Sequence, residues 1–110
     1  MVAHGTLAAA TLSPMLQLPE LDRASRTPPY RQVAAHITDA IRRGAYAPGD
    51  RLPSMIDLVQ HYGIARYTAQ KALHALADAG YAELEPGMGF YVPARLPGGT
   101  AGAHDSDSRR

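Results

Sequence analysis

A mainly α domain, three helices closed by a small β-hairpin, is the fold this sequence predicts, on three observations. Apolar residues recur at helical spacing in three blocks between residues 28 and 79. A Pro/Gly turn, Pro86-Gly87-Met88-Gly89, then separates two short β-prone runs. Neither end of the 110-residue chain sustains a helical or strand period.

Residues 1–27 are expected to form a flexible leader, with a turn of helix near Met15–Leu18. Its most apolar part, Leu7–Leu18, is too short to span a membrane and is interrupted by Pro14. The first basic residue is Arg23, so the cationic start of a secretory signal is missing. An arm that orders on DNA or on a partner is the functional alternative for this segment.

Thr27-Pro28-Pro29 reads as a helix start, with Thr27 as the cap and Pro in the first turn. Tyr30, Val33, Ile37 and Ile41, with Ala34 and Ala40 beside them, form one apolar face of the first helix. Arg42 and Arg43 suit the negative end of its dipole, and Gly44 can take the left-handed cap. Ala47-Pro48-Gly49-Asp50 is a turn, and Arg51-Leu52 is a candidate short strand before Pro53.

Ser54 followed by Asp57 comes close to a capping box, although Asp reaches back less far than Glu. The second helix, Met55–Tyr62, places Leu58, Val59 and Tyr62 on one side. Gly63 ends it, Ile64-Ala65 turn the chain, and a third helix is expected from about Arg66 to Ala79. Ala69, Ala72, Leu73 and Leu76 make its buried face, the small alanines letting a neighbouring helix approach closely. Arg66, Tyr67, Gln70, Lys71 and His74 make the other face, with no acid before Asp78.

Two helices joined by a short Gly-bearing turn, the second opening on Arg, Tyr, Thr68 and Gln, outline a helix-turn-helix. Tyr81–Glu85 and Phe90–Val92 around the Pro/Gly turn then read as the wing of a winged helix-turn-helix, a three-helix core plus wing. Residues 28–95 make up this domain, and the Gly/Ser/Pro/Asp-rich residues 96–110 are expected to be a disordered tail.

Composition narrows the function classes. Eleven Lys and Arg against ten Asp and Glu give a net charge of +1, which excludes a histone-like or acidic-tail theme. The chain has no Cys, so disulfides, thiolate zinc sites and cysteine nucleophiles are ruled out. Residues 1–27 and 96–110 each sum to zero, and the acids of the middle avoid the start of helix three. A local cationic face is concealed in a near-neutral total. His36, His61 and His74 share no metal-ligand spacing, and no acid/base or nucleophile set stands out, so no enzyme activity, cofactor or metal is expected.

Residues 28–95 resemble the DNA-binding domain of GntR-type transcriptional regulators. The matching residues are Pro29-Tyr-Arg-Gln-Val, Ile41…Gly44, Pro48-Gly49-Asp50-Arg51-Leu52-Pro53-Ser54, Leu58, Tyr62-Gly63-Ile64, Arg66–Leu73, Leu76, Gly80 and Gly87-Met88-Gly89-Phe90-Tyr91-Val92. The resemblance implies a third helix inserted into the major groove of operator DNA and a wing at the minor groove. Five positions depart from the family pattern. Met55 and Ile56 replace a Glu-Arg pair whose Arg contacts DNA, and Ala65 replaces a Ser or Thr. Gln70 replaces a second Arg of helix three, and Pro86 stands where a polar or basic residue is common. The family typically appends a larger effector-binding or dimerisation domain, and a chain without that domain is expected here.

The DNA-facing set is therefore Arg66, Tyr67, Thr68, Gln70, Lys71, Arg51, Ser54 and Gly87. A cation at a helix start opposes the dipole, so an anionic ligand at Arg66 would account for it. Thr68 and Gln70 suit phosphate or base edges, and Lys71 a backbone phosphate. Tyr67 is divided between core and surface. Arg51 either touches phosphate or salt-bridges Asp50 or Asp57. Ser54 is already accounted for as a cap, and Gly87 by the turn; approach to DNA is an addition to both.

The sequence is accordingly read as a DNA-binding transcriptional regulator of repressor type, with double-stranded operator DNA as partner. A small footprint favours two copies, a homodimer on DNA, at a repeated or palindromic site. No membrane contact or small-molecule effector site is expected, and the protein is placed in the cytoplasm, on the nucleoid when bound. The alternative is a winged-helix protein-interaction module that has lost DNA binding.

Overall fold

The computed structural model describes residues 14–97. A 3-10 turn, Pro14–Gln17, precedes α1 (Pro29–Arg42), α2 (Met55–Tyr62) and α3 (Arg66–Asp78), and β1 (Glu83–Glu85) pairs with β2 (Gly89–Tyr91). This is the three-helix core plus wing expected from the sequence.

Helix α1 starts differently from expectation. Pro28 occupies the N-cap and no side chain caps the helix, because two consecutive prolines push Thr27 one position too far out. Gln32 of the first turn ties the preceding chain to the helix. Its amide donates to the carbonyls of Thr27 at 2.8 Å and Asp22 at 3.0 Å, and accepts from the Asp22 N–H at 2.7 Å. At the other end Gly44, at φ +87, lets its own N–H reach Ile41 and the Ala45 N–H reach Ala40. That pair of bonds is a Schellman motif, and Gly80 and Tyr81 repeat it after α3 through Ala77 and Leu76.

The capping box at α2 is complete. The Asp57 N–H donates to Ser54 Oγ and the Ser54 N–H to Asp57 Oδ2, each at 3.0 Å. Asp is long enough here, so the shorter side chain costs neither bond.

Val33, Ile37, Ala40 and Ile41 of α1 meet Ala69, Ala72, Leu73 and Leu76 of α3, with Leu58 and Tyr62 of α2 closing the core. Ala69 and Ala72 are fully buried, which is the close approach their small size allows. Burying each Val, Leu or Ile contributes about 1.5–3 kcal/mol relative to exposure, so this seam dominates stability.

In the wing, Glu83 pairs with Tyr91, Leu84 with Phe90 and Glu85 with Gly89. Residues 49–52 run alongside as a third, shorter rung. Arg51 bridges Tyr91, Leu52 N–H donates to the Phe90 carbonyl at 2.8 Å, and Val92 N–H donates to that of Asp50 at 2.9 Å. The short strand expected at Arg51-Leu52 thus ties the wing to the turn before α2.

The leader departs from the flexible segment expected over residues 1–27. Residues 1–13 lie outside the described residues, but residues 14–27 dock on the core. Leu18 is buried, and Met15 and Leu21 pack beside it. Arg23 donates to the Tyr62 carbonyl. Burial of Leu18, the partial burial of Met15 and Leu21 and the Gln32 bonds outweigh the entropy lost in ordering the segment, a loss that its two prolines keep smaller. Of the expected tail, Leu96 packs on the core, Pro97 lies against Gly80, and residues 98–110 lie outside the described residues.

Candidate nucleic-acid interface

Helix α3 opens on Ala65, which supplies no side-chain cap, and its first turn holds no acid. The first intrahelical bond runs from the Ala69 N–H to the Ala65 carbonyl at 3.0 Å. The N–H groups of Arg66, Tyr67 and Thr68 therefore have no partner within the helix and face outward with the positive end of its dipole. Arg66 is exposed beside them and adds its own charge. A helix start this positive lacks the acidic residues that ordinarily stabilise one; an external anion would supply the missing charge.

The rest of the exposed face follows the helical spacing. Gln70, Lys71 and His74 are exposed, Thr68 is half-buried, and Tyr67 keeps 69% of its surface open. Tyr67 is thus a surface residue and contributes nothing to the core.

A shallow groove of about 270 Å³ separates α3 from the wing. Arg51, Ser54, Gln70 and His74 form its polar edge, over a floor that includes Leu73, Leu84 and Phe90. His74 and Phe90 meet edge to face across it, ring centroids 6.0 Å apart, fixing the wing against α3. Gly89 takes φ +113, and a β-carbon there would stand 3.4 Å from Arg51 Nε; the close seat of the guanidinium favours glycine.

Of the sequence-predicted set, this groove brings together Arg51, Ser54 and Gln70. Arg66, Tyr67, Thr68 and Lys71 continue the same helix beyond it, and Gly87 sits at the exposed hairpin turn. Arg51 makes neither of the salt bridges weighed for it. Asp50 instead accepts from the Ala47 N–H at 2.8 Å, Asp57 is held in the capping box, and the ion pair among the described residues is Arg43 with Asp39. Both acids weighed for Arg51 are thus turned to backbone, and Arg51 is exposed. Arg42 and Arg23, by contrast, are engaged within the fold, with the Tyr81 hydroxyl and the Tyr62 carbonyl.

Sequence reasoning missed Tyr30 and Arg31. The Lys71 ammonium lies 4.4 Å from the centre of the Tyr30 ring and 5.5 Å from that of Tyr67. Arg31 Nε donates to the Tyr30 hydroxyl at 3.3 Å. That bond and the Arg31 charge hold the phenol below its ordinary pKa against an opposing desolvation, with a lesser downward pull from Lys71. Tyr30 reads in sequence as one more apolar position, and its partners stand about forty residues on. The substitutions in α2 also have a visible result: Met55 packs on the core and Ile56 is left 43% exposed.

Among the described residues, no helix is long and apolar enough to cross a membrane. No group of three His, Cys, Asp or Glu converges among them as a metal site does.

The comparisons agree with this geometry. Residues 29–92 match the family model described as bacterial regulatory proteins, gntR family. The uncharacterised HTH-type transcriptional regulator YurK of Bacillus subtilis is 38% identical over 72 residues, 66% of this chain and 30% of that protein. The mannosyl-D-glycerate transport/metabolism system repressor MngR of Escherichia coli is 40% identical over 65 residues, 59% of this chain and 27% of its own length. This chain thus spans under a third of the curated relatives it matches. Among solved structures, YtrA from Sulfolobus acidocaldarius, a GntR-family transcription factor, superposes with a TM-score of 0.67 at 32% identity, covering 72% of this chain and 83% of that one. The DNA-binding domain of AraR, solved with its operator ORX1, superposes with a TM-score of 0.59 at 30% identity, covering 67% and 88%. On a family match that takes in more than half of its residues, the chain belongs to the gntR family of bacterial regulatory proteins.

Proposed function

We propose that the chain binds operator DNA as a sequence-specific transcriptional regulator of repressor type, α3 entering the major groove and the wing meeting the minor groove. The observation that carries this is the uncapped, acid-free start of α3, where Arg66 stands exposed beside outward-facing N–H groups. Arg66 and Gln70 are suited to base edges, Arg to guanine and Gln to paired bonds with adenine. Thr68, Lys71 and Arg51 are suited to phosphates. Ser54 Oγ accepts from Asp57 but keeps its hydroxyl proton for a phosphate oxygen. Gly87, at the wing turn, presents backbone to the minor groove, and Tyr67 flanks Lys71.

Support for the partner comes from AraR, whose DNA-binding domain is solved on operators. Support for repression comes from the relatives MngR and the histidine utilization repressor of Klebsiella aerogenes, the latter 36% identical over 70 residues, 64% of this chain and 29% of its own. The interface is small, so two copies act together on a repeated or palindromic site, in the cytoplasm where the nucleoid lies.

Selection of bound duplexes from a random pool tests this reading. It predicts enrichment of one short motif, present twice at fixed spacing. A pool that stays unenriched after repeated rounds at low salt overturns it in favour of a protein-binding role.

A further inference from the structure

Lys71 stands between two tyrosine rings contributed by different helices. Tyr67 lies one turn before it on α3, and Tyr30 comes from the first turn of α1. Tyr30 is itself anchored, half-buried against the core with its hydroxyl accepting from Arg31. Tyr67 is 69% exposed, so its ring stands on the surface beside the ammonium.

A free lysine carries its charge on a flexible four-carbon stem and loses rotamer freedom when it seats a phosphate. An aromatic face attracts the ammonium and restricts that freedom beforehand. Lys71 remains exposed, so the side of the ammonium away from the rings is open to an anion. Arg66 lies five residues before it on the same helix, which gives α3 two cations with different degrees of fixation.

We propose that Tyr30 and Tyr67 are positioning residues for DNA binding: their rings hold the Lys71 ammonium ready for a backbone phosphate. The first turn of α1 thereby sets the reach of the second cation of α3. This inference rests on the DNA-binding reading above and adds two residues that act through a third.

The test is a double-mutant cycle on the full chain, titrated with mixed-sequence duplexes at several salt concentrations. Tyr30→Leu is expected to weaken binding about three- to fivefold, the range of an exposed cation–ring contact. Tyr30→Phe keeps the ring and is expected to bind like wild type. Lys71→Gln weakens binding and lowers the salt slope by about 0.9, one phosphate's worth. On that background Tyr30→Leu is expected to cost nothing further, a result that simple destabilisation of the fold does not give. A second readout is independent of DNA: the Lys71 ε-methylene protons are expected upfield in wild type and Tyr30→Phe, less so in Tyr30→Leu, where the Tyr67 ring remains, and at ordinary positions when both rings are removed.

Three results overturn the inference alone while wild type binds. These are an unchanged or tighter affinity for Tyr30→Leu, a loss that persists in full without Lys71, and an ordinary Lys71 shift in wild type. Wild-type protein that binds no duplex overturns the DNA-binding reading itself, and this inference with it.

Discussion

Arg23 donates from its guanidinium to the carbonyl oxygen of Tyr62, the last residue of α2, at 2.8 Å across 39 positions of sequence. The last carbonyls of a helix lack partners and carry the negative end of its dipole, so a cation there is doubly favourable. With Leu18 buried and Gln32 bonded to Asp22 and Thr27, this contact makes residues 14–27 part of the domain.

Removal of the contact should therefore be measurable. Arg23→Ala is expected to cost about 1 kcal/mol and Leu18→Ala about 2 kcal/mol in urea unfolding, Leu18 lying at the edge of the core. Unaltered midpoints for both would mean that the segment is not docked in solution.

The capping box gives a second stability prediction. Ser54→Ala is expected to cost about 1 kcal/mol, and Asp57→Ala a similar amount. Each side chain bonds the backbone N–H of the other residue, so each variant loses its own bond and the double variant should lose about the sum of the two. Denaturation midpoints unchanged in either single variant contradict the capping box.

These two contacts also mark what was legible in the sequence. The Ser54–Asp57 spacing announces its bonds because both partners fall within one helical turn, and α2 runs as expected from Met55 to Tyr62. The buried face of α3 was equally plain, since 3.6-residue periodicity reports it directly. The docked leader was not. Pro14 and Pro19 break any period there, and Leu18 and Arg23 find their partners only after the chain has folded back. The same distance in sequence hid the Tyr30–Lys71 contact, whereas the cationic start of α3 was evident from local order alone.

Stability should fall on mild acidification, and His36 is the reason. Burial lowers its pKa below the ordinary 6.5, against a smaller upward pull from Asp39, and its Nδ1 lies 3.2 Å from the Tyr62 hydroxyl. Burial also pushes the Tyr62 phenol up to about 12, so it stays protonated throughout this range. The folded state holds the proton of His36 less tightly than the unfolded chain does. The stabilisation is therefore complete above pH 6.5 and lost as pH falls through that value toward the lower folded pKa. Melting temperatures taken across that window should decline in wild type and flatten in His36→Gln. A wild-type profile that rises on acidification contradicts the burial of a neutral imidazole.

Ile56 offers a gain-of-function test. It is 43% exposed near the start of α2, at the position where the family pattern carries an Arg that contacts DNA. Ile56→Arg is expected to tighten binding several-fold at low salt and to steepen the salt slope by about 0.9. An unchanged slope, measured by titration of duplexes at several salt concentrations, would place this face of α2 away from the phosphates.

The central claim is that the uncapped start of α3 receives DNA, and Arg66 tests it most directly. Duplex affinity measured against salt, for wild type and Arg66→Ala, reports both strength and the number of phosphates engaged. Wild type is expected to bind with a slope of about −3 per protomer, as three to four neutralised phosphates require. Arg66→Ala should bind at least tenfold more weakly, with a shallower slope if Arg66 seats a phosphate and relaxed sequence preference if it reads a base. Wild-type binding that is undetectable at low salt, or an Arg66→Ala variant indistinguishable from wild type in affinity, slope and preference, would contradict the account.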